Sequence, residues 1–137
     1  MLKRIVILLL IALPLTAVAQ DMLLIGMTKE DIKELVKREH RDFSTDNSIV
    51  KQQFNYLKYV NGRQTITWII YFSDDDICRS TKKVCDYIEY DFVLDVLNDH
   101  CKKQGKLTWE CSSEGQYYIV SLVEQDWYFT MQQRLKE

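Results

Sequence analysis

Four glycines and a single proline punctuate this chain of 137 residues. That scarcity excludes collagen-like repeats, flexible Gly- or Pro-rich linkers and low-complexity tracts, and points to a folded domain. Histidine is almost as rare: only His40 and His100 could act as bases near neutral pH. His100 adjoins Cys101 in sequence, but neighbouring helix positions diverge by about 100°, so the two make no Cys–His dyad. No G-x-S-x-G, glycine-rich phosphate loop or H-E-x-x-H is present, so no motif-borne catalytic geometry is written into the chain. A non-enzymatic role without a cofactor is expected. Basic residues are interspersed with acids and form no block, which removes the electrostatic footprint of a nucleic-acid binder. Nor does any apolar run reach the roughly 20 residues that a membrane span needs.

What is present begins at the first residue. "MLKRIVILLLIALPLTAVAQ" divides into a basic start at Lys3 and Arg4, an apolar run from Ile5 to Leu13, and a small-x-small site at Ala17-Val18-Ala19. These are the three parts of a secretory signal peptide. Residues 1–19 are expected to be cleaved, leaving 20–137 as one exported domain, periplasmic or extracellular, with no membrane span. Its 118 residues suffice for a core. Without Lys3 and Arg4 it carries 16 basic against 20 acidic side chains, a formal charge of −4.

Along this domain, "MTKEDIKELVKREH" offers Thr28 as a helix cap, Asp31 as its capping-box partner, and Met27 with Ile32 as a hydrophobic staple. Ile32, Leu35 and Val36 form a narrow apolar stripe, so a helix over 29–40 buries one face. "FNYLKYV" and "TITWIIYF" flank Asn61-Gly62 and read as a hairpin. In the second strand Ile66, Trp68, Ile70 and Phe72 share a face. Asp86 then caps a second helix, with Glu89 at the capping-box position and Ile88, Phe92, Val93, Val96, Leu97 and Cys101 on its apolar face. This helix reads as the more deeply buried one, ended by Gly105. "KLTWEC" follows as a strand with Leu107, Trp109 and Cys111 on one face. "GQYYIVSLV" and "WYFTMQQ" form the last hairpin, with Tyr118, Val120, Leu122, Trp127, Phe129 and Met131 inward.

The expected fold class is therefore α+β: a two-layer sandwich of two helices on one face of a mainly antiparallel five-stranded sheet, in the order α-β-β-α-β-β-β. The halves read either as degenerate copies of a helix-plus-hairpin module, 58 positions apart from Thr28 to Asp86, or as a chance match of common elements.

Export decides how the cysteines read, because an oxidising compartment favours disulfides over metal or redox chemistry. Cys78 leaves a strand and Cys85 precedes a helix cap, so a short loop can join them, and this is the expected disulfide. Cys101 lies about 6 Å along its helix from the turn at Gly105, and Cys111 about 17 Å along its strand. They pair if that turn is longer or the strand starts late, and are buried thiols otherwise. No close Cys pair of the zinc-site kind exists. Asp74, Asp75 and Asp76 lack the alternate spacing and distal Glu of a calcium loop and read as a solvated turn.

On the sheet face away from the helices the alternation places Tyr59, Thr65, Thr67, Ile69, Tyr71, Thr108, Tyr117, Ile119, Ser121, Tyr128 and Thr130. Tyr and Thr suit a solvated sheet face, yet tyrosines grouped with isoleucines also make interaction surfaces. Tyr59, Tyr71, Tyr117, Ile119 and Tyr128 are the candidate partner-binding residues. "LIGMTKEDIKELV" resembles the "GMT" helix start of the small lipoprotein in the outer-membrane β-barrel assembly machine. It is also similar to the modules of β-lactamase-inhibitory protein. The resemblance implies helices packed on an antiparallel sheet and surfaces that bind protein partners. The lipid-bearing cysteine is missing here, and "KREHRDF" replaces the usual Gly-x-Pro. As a whole the chain resembles small exported bacterial proteins. The expected function is an exported domain that binds a protein or cell-envelope component; a carrier of a small apolar ligand, or an enzyme with a fold-assembled site, are the alternatives.

Overall fold

A computed structural model of the chain describes residues 24–46, 54–113 and 115–136. The expected signal peptide, 1–19, lies outside the described residues. The first helix, α1 (Lys29–Glu39), starts as read: Thr28 Oγ1 accepts a hydrogen bond from the Asp31 amide at 3.2 Å. Glu30 and Asp31 in its first turn and Lys37 and Arg38 in its last complement the helix dipole. Then follow β1 (Phe43–Thr45), β2 (Tyr56–Asn61), β3 (Ile66–Phe72) and β4 (Cys78–Asp86). A 3₁₀ turn (Tyr87–Glu89) leads into α2 (Tyr90–His100). β5 (Lys102–Gly105), β6 (Thr108–Ser113), β7 (Gln116–Glu124) and β8 (Tyr128–Leu135) complete the chain.

The eight strands of the described residues lie in one antiparallel sheet, ordered β1-β2-β3-β4-β8-β7-β6-β5. Each half is thus one helix followed by a four-stranded meander, and the halves join where β4 pairs with β8 from Ser80↔Arg134 to Asp86↔Tyr128. The element order common to the two halves is longer than a helix plus a hairpin.

This architecture corrects the expected five-stranded α+β sandwich: the fold is mostly β, with three further strands. The largest, β4, is "CRSTKKVCD", rich in residues of low strand propensity. It forms nonetheless because it is central, with ladder partners on both sides. β5, "KKQG", is exposed throughout and exists only through its pairing with β6. β1 has three residues and one partner, β2.

Register decides what each strand buries. Trp68 lies opposite Tyr59 on β2 and Lys83 on β4, Lys83 lies opposite Met131, and Met131 opposite Leu122. Directly opposed residues share a face, so these side chains all point to the helix side. Two apolar clusters form there. Beneath α1 are Ile32, Val36, Tyr59, Trp68, Ile70, Phe72, Cys78 and Tyr118. Beneath α2 are Cys85, Leu97, Trp109, Cys111, Val120, Leu122, Phe129 and Met131. Between them on the β4–β8 midline sit buried Thr81, Lys83 and Gln133. The Thr81 hydroxyl donates to Gln133 Oε1 at 3.1 Å, and Lys83 Nζ stands 4.7 Å from the Trp68 ring centroid.

The cysteines pair otherwise than expected. Cys101 and Cys111 form the disulfide, with Cα atoms 4.6 Å apart. α2 ends at His100, and the next residues turn straight into the β5–β6 hairpin. Lys102 pairs with Glu110 there, which sets Cys101 opposite Cys111. Cys78 and Cys85 are free, buried thiols. They sit at the two ends of an extended strand rather than astride a loop, and seven strand steps of about 3.3 Å hold them apart. Each lies in a different core cluster. Burial pushes the Cys78 thiol up to about 12 and the Cys85 thiol up to about 11.

Candidate functional site

The end of the sheet where β4 finishes and β8 begins carries the least covered apolar side chains. Asp86 Oδ1 accepts from the Ile88 amide at 2.9 Å and so anchors the 3₁₀ turn. Across from it, the Gln125 amide donates to the Tyr128 carbonyl at 2.9 Å and closes the β7–β8 turn. Tyr87 ties the two segments together, its hydroxyl donating to the Gln125 carbonyl. Its ring packs against those of Tyr90 and Phe129, with centroids 5.8 and 5.7 Å away. The Tyr90 ring meets Phe129 edge-on at 5.1 Å. The Tyr90 hydroxyl donates to Glu124 Oε1 at 2.6 Å, and this bond, with burial and nearby negative charge, holds its pKa up to about 12. A second brace runs from the Thr65 hydroxyl to Glu89 Oε1 at 3.0 Å.

On this braced base Trp127 is 87% exposed, Ile88 65% and Phe92 62%, with Tyr87 also exposed; Tyr128 and Val123 are exposed on the sheet face away from the helices. Singly exposed apolar residues are ordinary; several carried on two segments tied to each other single out this end of the molecule. Both segments are acidic. "DYIEYDFVLDVL" (86–97) and "LVEQDWYFTM" (122–131) hold Asp86, Glu89, Asp91, Asp95, Glu124 and Asp126 and contain no lysine or arginine.

Apolar spacing places Trp127, Ile88 and Phe92 in the core, whereas the structure exposes all three. Trp127 has the parity of buried Phe129 and Met131, but β7 ends at Glu124, which pairs with Phe129, so Trp127 lies in the turn beyond the ladder. Phe92 and Leu97 are five positions apart, about 140° around an α-helix, so they cannot share a face. α2 buries Leu97 alone, with Val93 and Leu94 half-buried on the same side. A helical-wheel count in place of an inventory of apolar residues would have found Phe92.

The candidate partner-binding residues do not come together. Tyr59 is 6% exposed in the α1 core, its ring 6.4 Å from that of Trp68. The loop between β2 and β3 has an even number of residues (62–65), so odd positions on β2 face with even positions on β3. Tyr71, Tyr117, Ile119 and Tyr128 do point away from the helices. Tyr71 shares a row with Ser80, Arg134 and Ile119, about 14 Å from Ile119 across three strand spacings. Tyr128 lies six residues, about 20 Å, along β8 from that row. Ile119 is buried and Tyr117 exposed.

Asp74, Asp75 and Asp76 form the exposed β3–β4 turn, tied down where the Asn55 amide reaches Asp76 Oδ1 and the Lys29 amide reaches the Asp76 carbonyl. Among the described residues no group of three or more His, Cys, Asp or Glu is placed to hold a metal ion, and no helix is long and apolar enough to cross a membrane. Comparison of the chain with protein-family models, with curated proteins and with solved structures finds no match.

Proposed function

We propose that this protein is an exported interaction domain that binds a partner protein through its aromatic end, rather than through tyrosines dispersed over the sheet. The observation that carries this reading is the nearly full exposure of Trp127, on a turn that Tyr87 ties to the segment carrying exposed Ile88 and Phe92. Tryptophan and other aromatics dominate the centres of protein interfaces, and rigid anchors lose little entropy on binding. The Tyr87–Gln125 and Tyr90–Glu124 hydrogen bonds supply that rigidity. Six carboxylates with no cation in the two segments favour a partner surface that is basic around an apolar socket. The Cys101–Cys111 disulfide supports residence in an oxidising compartment.

The test is differential capture from the native envelope fraction. Wild-type protein and a Tyr117→Ser control, altered at the other end of the sheet, should retain the same crosslinked partner. The Phe92→Ser/Trp127→Ser double variant should lose it. Equal capture by all three proteins would overturn the proposal.

A further inference from the structure

A second surface lies on the other half of the molecule. Between α1 and the β1–β2 edge of the sheet runs a half-open groove of about 560 Å³, within the size range of small-molecule sites. Val36 and Tyr59, both buried in the core, make its floor together with half-buried Leu57 and Phe43. Lys33 and Lys37 stand on the rim. They are i and i+4 on α1, so they lie one above the other on the same side of the helix. Ser44 and Thr45 of β1 line the opposite side.

Among the described residues the lining holds two cations and no carboxylate, although the chain as a whole is negative. Lys33 contacts Glu30 at 3.5 Å, but both side chains are substantially exposed, and such a pair is weak and exchangeable. Asp46, just beyond β1, is held by Lys58 at 3.1 Å. A wet cationic mouth over an apolar floor is complementary to one kind of molecule: an apolar body with an anionic head. We infer that this groove is a binding site for an anionic amphiphile, a medium-length acyl or alkyl chain ending in a carboxylate or phosphate. The chain lies against Val36, Leu57, Phe43 and Tyr59, and the head sits between Lys33 and Lys37, within reach of the Thr45 hydroxyl.

This site is separate from the aromatic end, and either can fail without the other. The test uses the disulfide-bonded protein, with decanoate, decyl phosphate and decyltrimethylammonium as probes below their micelle concentrations. Binding is read by calorimetry and by methyl shifts of Val36 and Leu57. Both anions should bind and move those methyls, and the stronger of the two identifies the headgroup. The cation should bind roughly tenfold more weakly or not at all, because like charges would meet at the rim. Lys33→Glu/Lys37→Glu, on exposed helix positions, should reverse that order. Thr45→Trp, exposed on an edge strand, should block all three probes while the melting transition stays in place. Equal binding of cation and anion, unchanged binding in Thr45→Trp, or shifts confined to Ile88 and Val93 would each overturn the assignment.

Discussion

The two halves share a plan, one helix before a four-stranded meander, yet they use their apolar residues in opposite ways. α1, "KEDIKELVKRE", is strongly charged, but Ile32 and Val36 are both buried beneath it. α2, "YDFVLDVLNDH", is far more apolar and buries Leu97 alone, although sequence reasoning made it the deeper helix. Apolar content therefore does not rank burial. Phase does: the 3₁₀ turn before α2 winds at about three residues per turn, so Ile88 is out of step with the helix that follows. The surplus on α2 faces water.

The comparison breaks first at the two tryptophans. Trp68 and Trp109, one in each core, are wholly buried, and Trp68→Ala or Trp109→Ala should each lower the unfolding free energy by about 3–5 kcal/mol in denaturant titration. They differ in their indoles. Trp109 Nε1 donates to Asn98 Oδ1 at 3.0 Å, whereas buried Trp68 Nε1 has no hydrogen-bond partner among the described residues. Replacement by Phe should thus be worse at 109 than at 68 by about 1 kcal/mol.

The disulfide belongs to the α2 half alone. Non-reducing peptide mapping should find Cys101 joined to Cys111 and both Cys78 and Cys85 as thiols. Cys101→Ala should weaken the fold by about 2–3 kcal/mol on loop-closure grounds. Alkaline titration reads the free thiols. Burial raises both, Cys78 to about 12 and Cys85 to about 11, so the folded state holds these protons more tightly than the unfolded chain does. Their stabilisation is complete below the unfolded thiol value near 8.5 and is lost as pH climbs through 11–12. Unfolding free energy should fall across that window, and less steeply in Cys78→Ala/Cys85→Ala. A smaller contrast lies at the helix starts. Thr28 caps α1 with its side chain, while Glu89 makes no such bond to α2. Thr28→Ala should cost about 1 kcal/mol, and Glu89→Ala should affect α2 capping little.

Local signals were legible where one residue's neighbours decide its state. The Thr28 cap, the alternation of Trp68, Ile70 and Phe72, and the inward set of Tyr118, Val120 and Leu122 could all be read from spacing. Non-local choices were not. β4 is a strand because β3 and β8 flank it, and nothing in "RSTKK" announces that. The side of the sheet that Tyr59 takes depends on counting the β2–β3 loop. The cysteine pairing depends on β5, a strand without an apolar residue. The candidate site was misplaced for the same reason: alternation placed tyrosines on a face but could not say how far apart the strands carry them. It also continued past the last ladder pair and drew Trp127 into a core that ends at Phe129.

Exposed Phe92 and Trp127 add nothing to the fold. The most direct test is the unfolding free energy of Phe92→Ser/Trp127→Ser, measured beside Val36→Ser from the α1 half. The double variant should stay within about 0.5 kcal/mol of wild type, as exposed positions do, while Val36→Ser loses several times that. A double variant destabilised as much as Val36→Ser would put Phe92 and Trp127 in the core.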